Sequence, residues 1–385
     1  MCASPAEPAR RRGAGRHRKA AKSVTDVFQE RASRAQGLLR KRGVDGLLLL
    51  PEVELFYLTG FRIDITERPS AAIIPFDGQP RFVVPELEKE LRGTRSWITR
   101  VDTWDDAPFE ALARGLRDSG LERATIGVGE RVPWGWIRRI EEQLPRIKFV
   151  SVTEAIESLR MVKDAQELEL IRRSCAITDR AAEAGFAALR EGITELDLEA
   201  VIRSEMTRLG GLPQFCLVLF GERAALPHGM PSSRKLSTGD VVLVDTGCSL
   251  EGYMSDITRT VVFGQPSLRQ RHVWETVLRA KNAAFEAIRP GMTCHQADAI
   301  ARGIIQQAGL GKFFIHRLGH GLGLLCHEHP YLAKGNAQAL EAGMTFTIEP
   351  GVYIPGELGV RLEDSVVLTA GGCRNLTQMK IAIEP

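Results

Sequence analysis

No stretch of this chain approaches the roughly 18 consecutive apolar residues that a membrane-crossing helix requires, so no transmembrane segment is expected. None of its seven cysteines stands in Cys-x-x-Cys spacing, and they are dispersed from Cys2 to Cys373. That argues against both a zinc knuckle and a disulfide framework. The expectation is a reducing compartment, the cytoplasm. The first residues lack the apolar core of a secretory signal, so no export is expected. There is no glycine-rich phosphate loop, since Gly127-Val128-Gly129 is too short a match. There is also no His-Glu-x-x-His helix, which removes a zincin site. No repeat of solenoid period occurs.

The chain is nearly neutral, with a net charge of +3 over 385 residues, but the charge is unevenly placed. Arg10, Arg11, Arg12, Arg16, Arg18, Lys19 and Lys22 face a single acid, Glu7, so the first segment is strongly basic and the remainder mildly acidic. The body is therefore not a nucleic-acid surface. Residues 1–23 read as a disordered, solvated extension.

What is present reads as two domains. The apolar stripe Val27, Phe28, Ala32, Ala35, Leu38, Leu39 predicts a helix over 24–42, stopped by Gly43. Strands are expected at 46–50, 71–75, 81–84 and 124–128, alternating with helices near 85–92, 107–119 and 134–144. The first domain, 24–150, is accordingly α/β. A linker is expected at 151–164 and a second domain at 165–385. The latter begins with two helices, the second capped by Thr194 and ended by Gly210. Short strands follow at 216–220, 241–245, 257–263, 344–349 and 360–368, with helices near 268–288 and 295–308. This half reads as α+β with a mostly antiparallel sheet flanked by helices.

Four acids occupy unusual places there. Asp245 ends the apolar run VVLVD, and Asp256 follows in the returning strand beyond a Gly247–Gly252 turn. Glu349 ends MTFTIEP, and Glu363 lies in VRLEDSVVLT beyond Gly356 and Gly359. Each pair reads as a hairpin. Carboxylates flanked by strand formers are expected to be partly buried, and two at about 4 Å repel by about 4 kcal/mol at an effective dielectric of 20. Such a cluster takes up protons or recruits cations. The segment HRLGHGLGLLCHEHP adds His316, His320, His327 and His329, with Gly319, Gly321 and Gly323 around His320. Glycines there permit close backbone packing. One histidine with four carboxylates is an oxygen-rich set that suits Mn(II), with Co(II), Fe(II) or Zn(II) as alternatives.

Together these strings resemble the pita-bread metallopeptidases: aminopeptidase P, prolidase, methionine aminopeptidase and the metal-free creatinase. The matches are LPHG (226–229), VDTG…SDITRT (244–260), HRLGHGLG…HE (316–328), TIEPG (347–351) and RLEDSVVLT (361–369). FYLTGF (56–61), ERP (67–69) and VVPELE (83–88) resemble the creatinase-type N-terminal domain, which favours the aminopeptidase P and prolidase branch. The resemblance implies a pita-bread second domain and two divalent metal ions. In it Asp245 binds one ion, Asp256 and Glu363 bridge both, and His320 and Glu349 complete the other shell. It also implies non-ligand active-site roles for His228, His316 and His327, with Glu349 as proton carrier. Arg361 is expected to steady the cluster, and Tyr353 either lines the pocket or is a plain core residue. The expected substrate is a peptide with proline in second position, and the expected assembly a homodimer, with no nucleic-acid or membrane partner. A small non-peptide substrate, or a binding protein without catalysis, are the alternative readings. Arg223 is a candidate for holding a substrate carboxylate.

Overall fold

The computed structural model describes residues 24–90 and 96–385, and the basic tail lies outside the described residues. Contacts divide the chain into two units, Met1–Val152 and Thr153–Pro385.

The first unit is built on a six-stranded mixed sheet. Gly46–Leu49 lies at its centre, antiparallel to Ala71–Pro75 and parallel to Thr125–Val128. Ala71–Pro75 pairs antiparallel with Arg81–Pro85. The apolar runs GLLL, AAIIP and RFVVP are fully buried, as runs without polar alternation require. Two edge strands, Arg100–Trp104 and Lys148–Ser151, have no counterpart in the sequence reading. Their mixed composition fits an edge, where one side meets solvent and charge is favoured. The helix expected at 85–92 is a single 3-10 turn, Glu86–Glu88, with residues 91–95 outside the described set. A helix the sequence reading did not place, Val53–Thr59, ends where Gly60 adopts φ 75° and its N–H caps Phe56 O at 2.8 Å.

The second unit opens with a helix of its own, Thr153–Met161, inside the stretch read as a linker. Ala165–Ala187 follows, started by a reciprocal capping pair between Asp164 and Glu167. Thr194 caps Glu195–Arg208 as its side chain accepts from Asp197 N. Leu268–Ala287 and Cys294–Gln307 begin with the same device at Ser267 and Thr293. The sheets between them are antiparallel. Val241–Leu250 lies between Leu212–Phe220 and Ile257–Val262. A five-stranded sheet runs in the order Glu328–Leu332, Gly319–Gly321, Thr345–Ile348, Asp364–Thr369, Gly372–Asn375.

The hairpin expected to carry Glu349 and Glu363 is interrupted on both arms. Thr345–Ile348 pairs with Asp364–Thr369, and Gly351–Ile354 pairs with Leu358–Arg361. Pro350 has no N–H to give a ladder, so one arm breaks beside Glu349. On the other arm Glu363 N leaves its hairpin and donates to Thr258 O at 3.0 Å. Asp256 likewise stands in a gap, between Tyr253–Met254 and Ile257–Val262. Three of the four acids thus sit where a ladder is broken and a side chain is free to be re-aimed.

Candidate metal centre

Two threonines organise the carboxylates. Thr258 faces Asp245 across the ladder between Ile257–Val262 and Val241–Leu250. Its hydroxyl donates to Glu363 Oε2 at 2.5 Å and accepts from Arg361 Nε at 3.0 Å. The Arg361 guanidinium also donates to Asp245 Oδ2. Thr347 does the same work on the other side: its Oγ1 accepts from His320 N at 3.1 Å and donates to Glu349 Oε1 at 3.0 Å. The glycines beside His320 are there for close approach. A Cβ on Gly319 would lie 1.9 Å from Thr347 O, and one on Gly321 2.2 Å from His329 O.

The five residues singled out as a ligand set come together. Ligand atoms of Asp256, His320 and Glu363 lie within 4.8 Å of one another. His320 Nε2 is 3.1 Å from Glu349 Oε1 and 3.7 Å from Asp256 Oδ2. Asp245 joins the set through Arg361 and Thr258. Among the described residues, Asp245 Oδ1, Asp256 Oδ1 and Glu363 Oε1 are buried oxygens with no hydrogen-bond partner. One such atom costs about 1–3 kcal/mol, and more on a charged group.

The protonation pattern follows from this crowding. Burial, then the charge of Asp245, pushes the Asp256 carboxyl well above the usual range. Burial, then Asp256, does the same to Glu363. Glu349 goes the other way: burial opposes its charge, but the hydrogen bond from His320 brings it down to about 2. His320 is raised by Glu349 and Asp256 although burial opposes it. With no counter-cation, two acids are therefore driven to hold protons. Three free carboxylate oxygens, one imidazole and a surplus of negative charge form a donor set that fits divalent cations.

A second layer surrounds this cluster. Tyr353, weighed equally between pocket and core, is buried with its hydroxyl between Arg361, at 2.6 Å, and His316 Nε2, at 2.9 Å. Burial, offset in part by Arg361, raises its phenol to about 12. Arg361 also donates to Pro227 O at 3.3 Å, which ties the LPHG loop to the cluster. His316 is half-buried, and burial lowers its pKa. His327 is exposed, with its ring 3.9 Å from that of His320. Partial burial, then the charge of His320, takes it down to about 4, so it is neutral at pH 7. His228 is exposed on the LPHG loop, close enough to His327 to act on it electrostatically.

Other residues fall elsewhere. His329 packs against Tyr331 with the rings tilted by 58° and approaches Glu157 at 3.9 Å. Arg223 pairs through Nε with the buried Glu195, 3.1 Å away, and donates through Nη2 to Met230 O. Sequence reasoning gave no role to Thr258 or Thr347, which are ordinary strand residues by composition. It also missed Cys326, whose Sγ lies 3.2 Å from Asp256 Oδ2.

Comparison with known proteins shows the family. The model of metallopeptidase family M24 matches residues 169–370, and that of the creatinase/prolidase N-terminal domain matches residues 31–162. The Xaa-Pro dipeptidase of Pyrococcus furiosus is 34% identical over 354 residues, 91% of this chain and 98% of that protein. The crystal structure of a prolidase from Thermococcus sibiricus superposes with a TM-score of 0.87 at 33% identity, covering 92% of this chain and 98% of that one. The X-Pro aminopeptidase from Thermotoga maritima superposes with a TM-score of 0.83 at 31% identity, covering 92% and 99%.

Proposed function

The chain belongs to metallopeptidase family M24, with a creatinase/prolidase N-terminal domain, and on that premise we propose that it hydrolyses Xaa-Pro peptide bonds. The observation that carries the reading is the convergence of Asp256, His320 and Glu363, joined by Glu349 at His320 and by Asp245 through Arg361 and Thr258, with three of the carboxylate oxygens unpartnered. The family implies divalent metal ions. We assign two, held by these five residues, with Mn(II) favoured by the oxygen-rich donor set. When bound, they supply Lewis acidity and a water whose pKa falls toward neutrality.

The chain's own groups then divide the work. Glu349 is ionised and held by His320 and Thr347, so it can take the proton of the attacking water and hand it to the leaving nitrogen. His327 and His228 stand at the rim as imidazoles able to donate to the developing oxyanion. The buried chain Arg361–Tyr353–His316 orients His316 and fixes one oxygen of Asp245.

The six described cysteines are unbridged, which supports a cytoplasmic location. A homodimer is carried over from the resemblance and is checked by light scattering. The deciding assay is a panel of Xaa-Pro dipeptides, longer Xaa-Pro peptides and non-peptide amides, run on metal-loaded protein. Cleavage after the first residue of proline-second substrates is expected, with dipeptides against longer peptides fixing the length preference. Turnover confined to non-peptide amides, or activity surviving complete chelation, would overturn the reading.

A further inference from the structure

Cys326 lies at the edge of the centre and has no part in the assignment above. Its Sγ is 3.2 Å from Asp256 Oδ2, and ligand atoms of Asp256, Cys326 and His327 lie within 4.8 Å of one another. Asp256 is only 4% exposed; its Oδ2 faces the thiol, and its Oδ1 has no hydrogen-bond partner, so the carboxylate has an oxygen to spare. Cys326 is half-buried and His327 exposed, so an ion reaches the set from solvent.

We propose that Cys326, His327 and Asp256 form a third cation position, adjoining the pair and sharing Asp256 with it, that takes thiophilic divalent ions such as Zn(II) or Cd(II) and not Mn(II). The inference rests on the reading of Asp256 as a cation-facing group. Its donor set of one sulfur, one imidazole and one carboxylate oxygen is that of a zinc site, whereas the neighbouring pair is nearly all oxygen. On binding, the S–H bond breaks, the proton leaves to solvent and a sulfur–metal bond forms, with no change of oxidation state. The loop carrying two of the donors is already fixed. Gly323 O accepts from Met254 N at 2.8 Å, and Leu325 N donates to Glu328 Oε2 at 3.3 Å. Glu328 is itself clamped by Arg160 and by Lys163 at 2.7 Å. An ion held there lies against His327, so excess soft metal silences turnover that Mn(II) supports.

The test uses Cd(II) titrated into full-length protein saturated with Mn(II). One further equivalent is expected to bind, with a thiolate-to-cadmium charge-transfer band in the ultraviolet. Cys326→Val removes the band and weakens that equivalent more than about 100-fold, beyond the 10–100-fold typical of a residue that only supports a ligand. Cys326→Ser, an independent variant, also removes the band. Cys373→Ser, at the other half-buried cysteine among the described residues, keeps it. His327→Asn keeps the band but weakens binding. No band in the wild type, or a band that survives loss of the Cys326 sulfur, overturns the proposal. Mn(II) binding without the Cd(II) band sinks this inference alone. The Cd(II) band without any Mn(II) binding leaves it standing and sinks the assignment of the pair.

Discussion

Glu363 and Asp364 are consecutive, equally buried and oppositely treated. Glu363, 1% exposed, points into the centre with Oε1 unpartnered and its carboxyl raised by burial and by Asp256. Asp364, 2% exposed, lies between Arg259 at 2.7 Å and the Lys281 ammonium, and Thr377 donates to it at 3.0 Å. Glu328 repeats the second pattern between Arg160 and Lys163, which hold its pKa low although burial opposes its charge. The same fold therefore contains buried carboxylates that are satisfied by protein cations and buried carboxylates that are not. Asp364 opens the strand Asp364–Thr369, while Glu363 stands in the break before it, its N–H turned to Thr258 O, and that break separates the two carboxylates. Where the protein provides its own cation the acid is structural. Where it withholds one, a cation from outside is required.

Substitution on each face sharpens that contrast. Asp364→Asn strands the Arg259 and Lys281 charges in the interior and is expected to cost about 3–5 kcal/mol of unfolding free energy. Glu363→Gln replaces a carboxyl that already holds its proton in metal-free protein, so chemical denaturation of that form should show it close to neutral, while metal stoichiometry falls. Equal destabilisation by both variants in metal-free protein would erase the distinction.

Asp179 stands between the two classes. It accepts from Gln378 N at 2.6 Å and Met379 N at 3.2 Å but has no ion pair as close as that of Asp364, and burial raises it to about 6 from 3.8. A carboxyl with a raised folded-state pKa binds its proton more tightly in the folded protein. Its contribution is therefore fully present below about pH 4 and lost as pH rises through about 6, a swing of about 3 kcal/mol. Urea melts of wild type against Asp179→Asn should show the wild type losing stability relative to the variant across that window. A pH-independent difference would mean that the two N–H donors fully offset the burial.

Glu349 tests the catalytic face. Glu349→Gln is expected to lower turnover by more than about 100-fold, the scale of general-base effects, or about 2.7 kcal/mol. Near-normal turnover with intact metal content would remove it as the proton carrier.

How far this contrast was legible in the sequence differs between its parts. Asp245 and Asp256 stand out because apolar strand runs and a glycine turn frame them, and His320 because glycines flank it. The central strands of the first unit were readable for the same reason: unbroken apolar runs have few other fates. The edge strands Arg100–Trp104 and Lys148–Ser151 were not, since half-exposed strands need no such run. The break beside Glu349 has a local sign in Pro350, but the one at Glu363 was hidden because it depends on a bond to a distant segment, Glu363 N to Thr258 O. Cys326 was invisible as chemistry because a single cysteine without a spaced partner carries no pattern, and only the fold sets it beside Asp256.

The smallest expected effect concerns the hydroxyl linking the two layers of the site. Tyr353 OH accepts from Arg361 and meets His316 Nε2, so it fixes how the guanidinium that holds Asp245 is aimed and how the His316 ring is turned. Tyr353→Phe keeps the ring packing but deprives both neighbours of a partner, at about 1 kcal/mol, the net worth of an ordinary hydrogen bond. That predicts a fall in kcat/KM of about fivefold with metal content unchanged. Since Arg361 retains Thr258, Asp245 and Pro227 O, the cluster itself should persist. An unchanged kcat/KM would show that the outer chain does not reach the chemistry. A loss beyond about 100-fold would place the phenol in contact with the reacting groups, in the class of Glu349 rather than of Arg361.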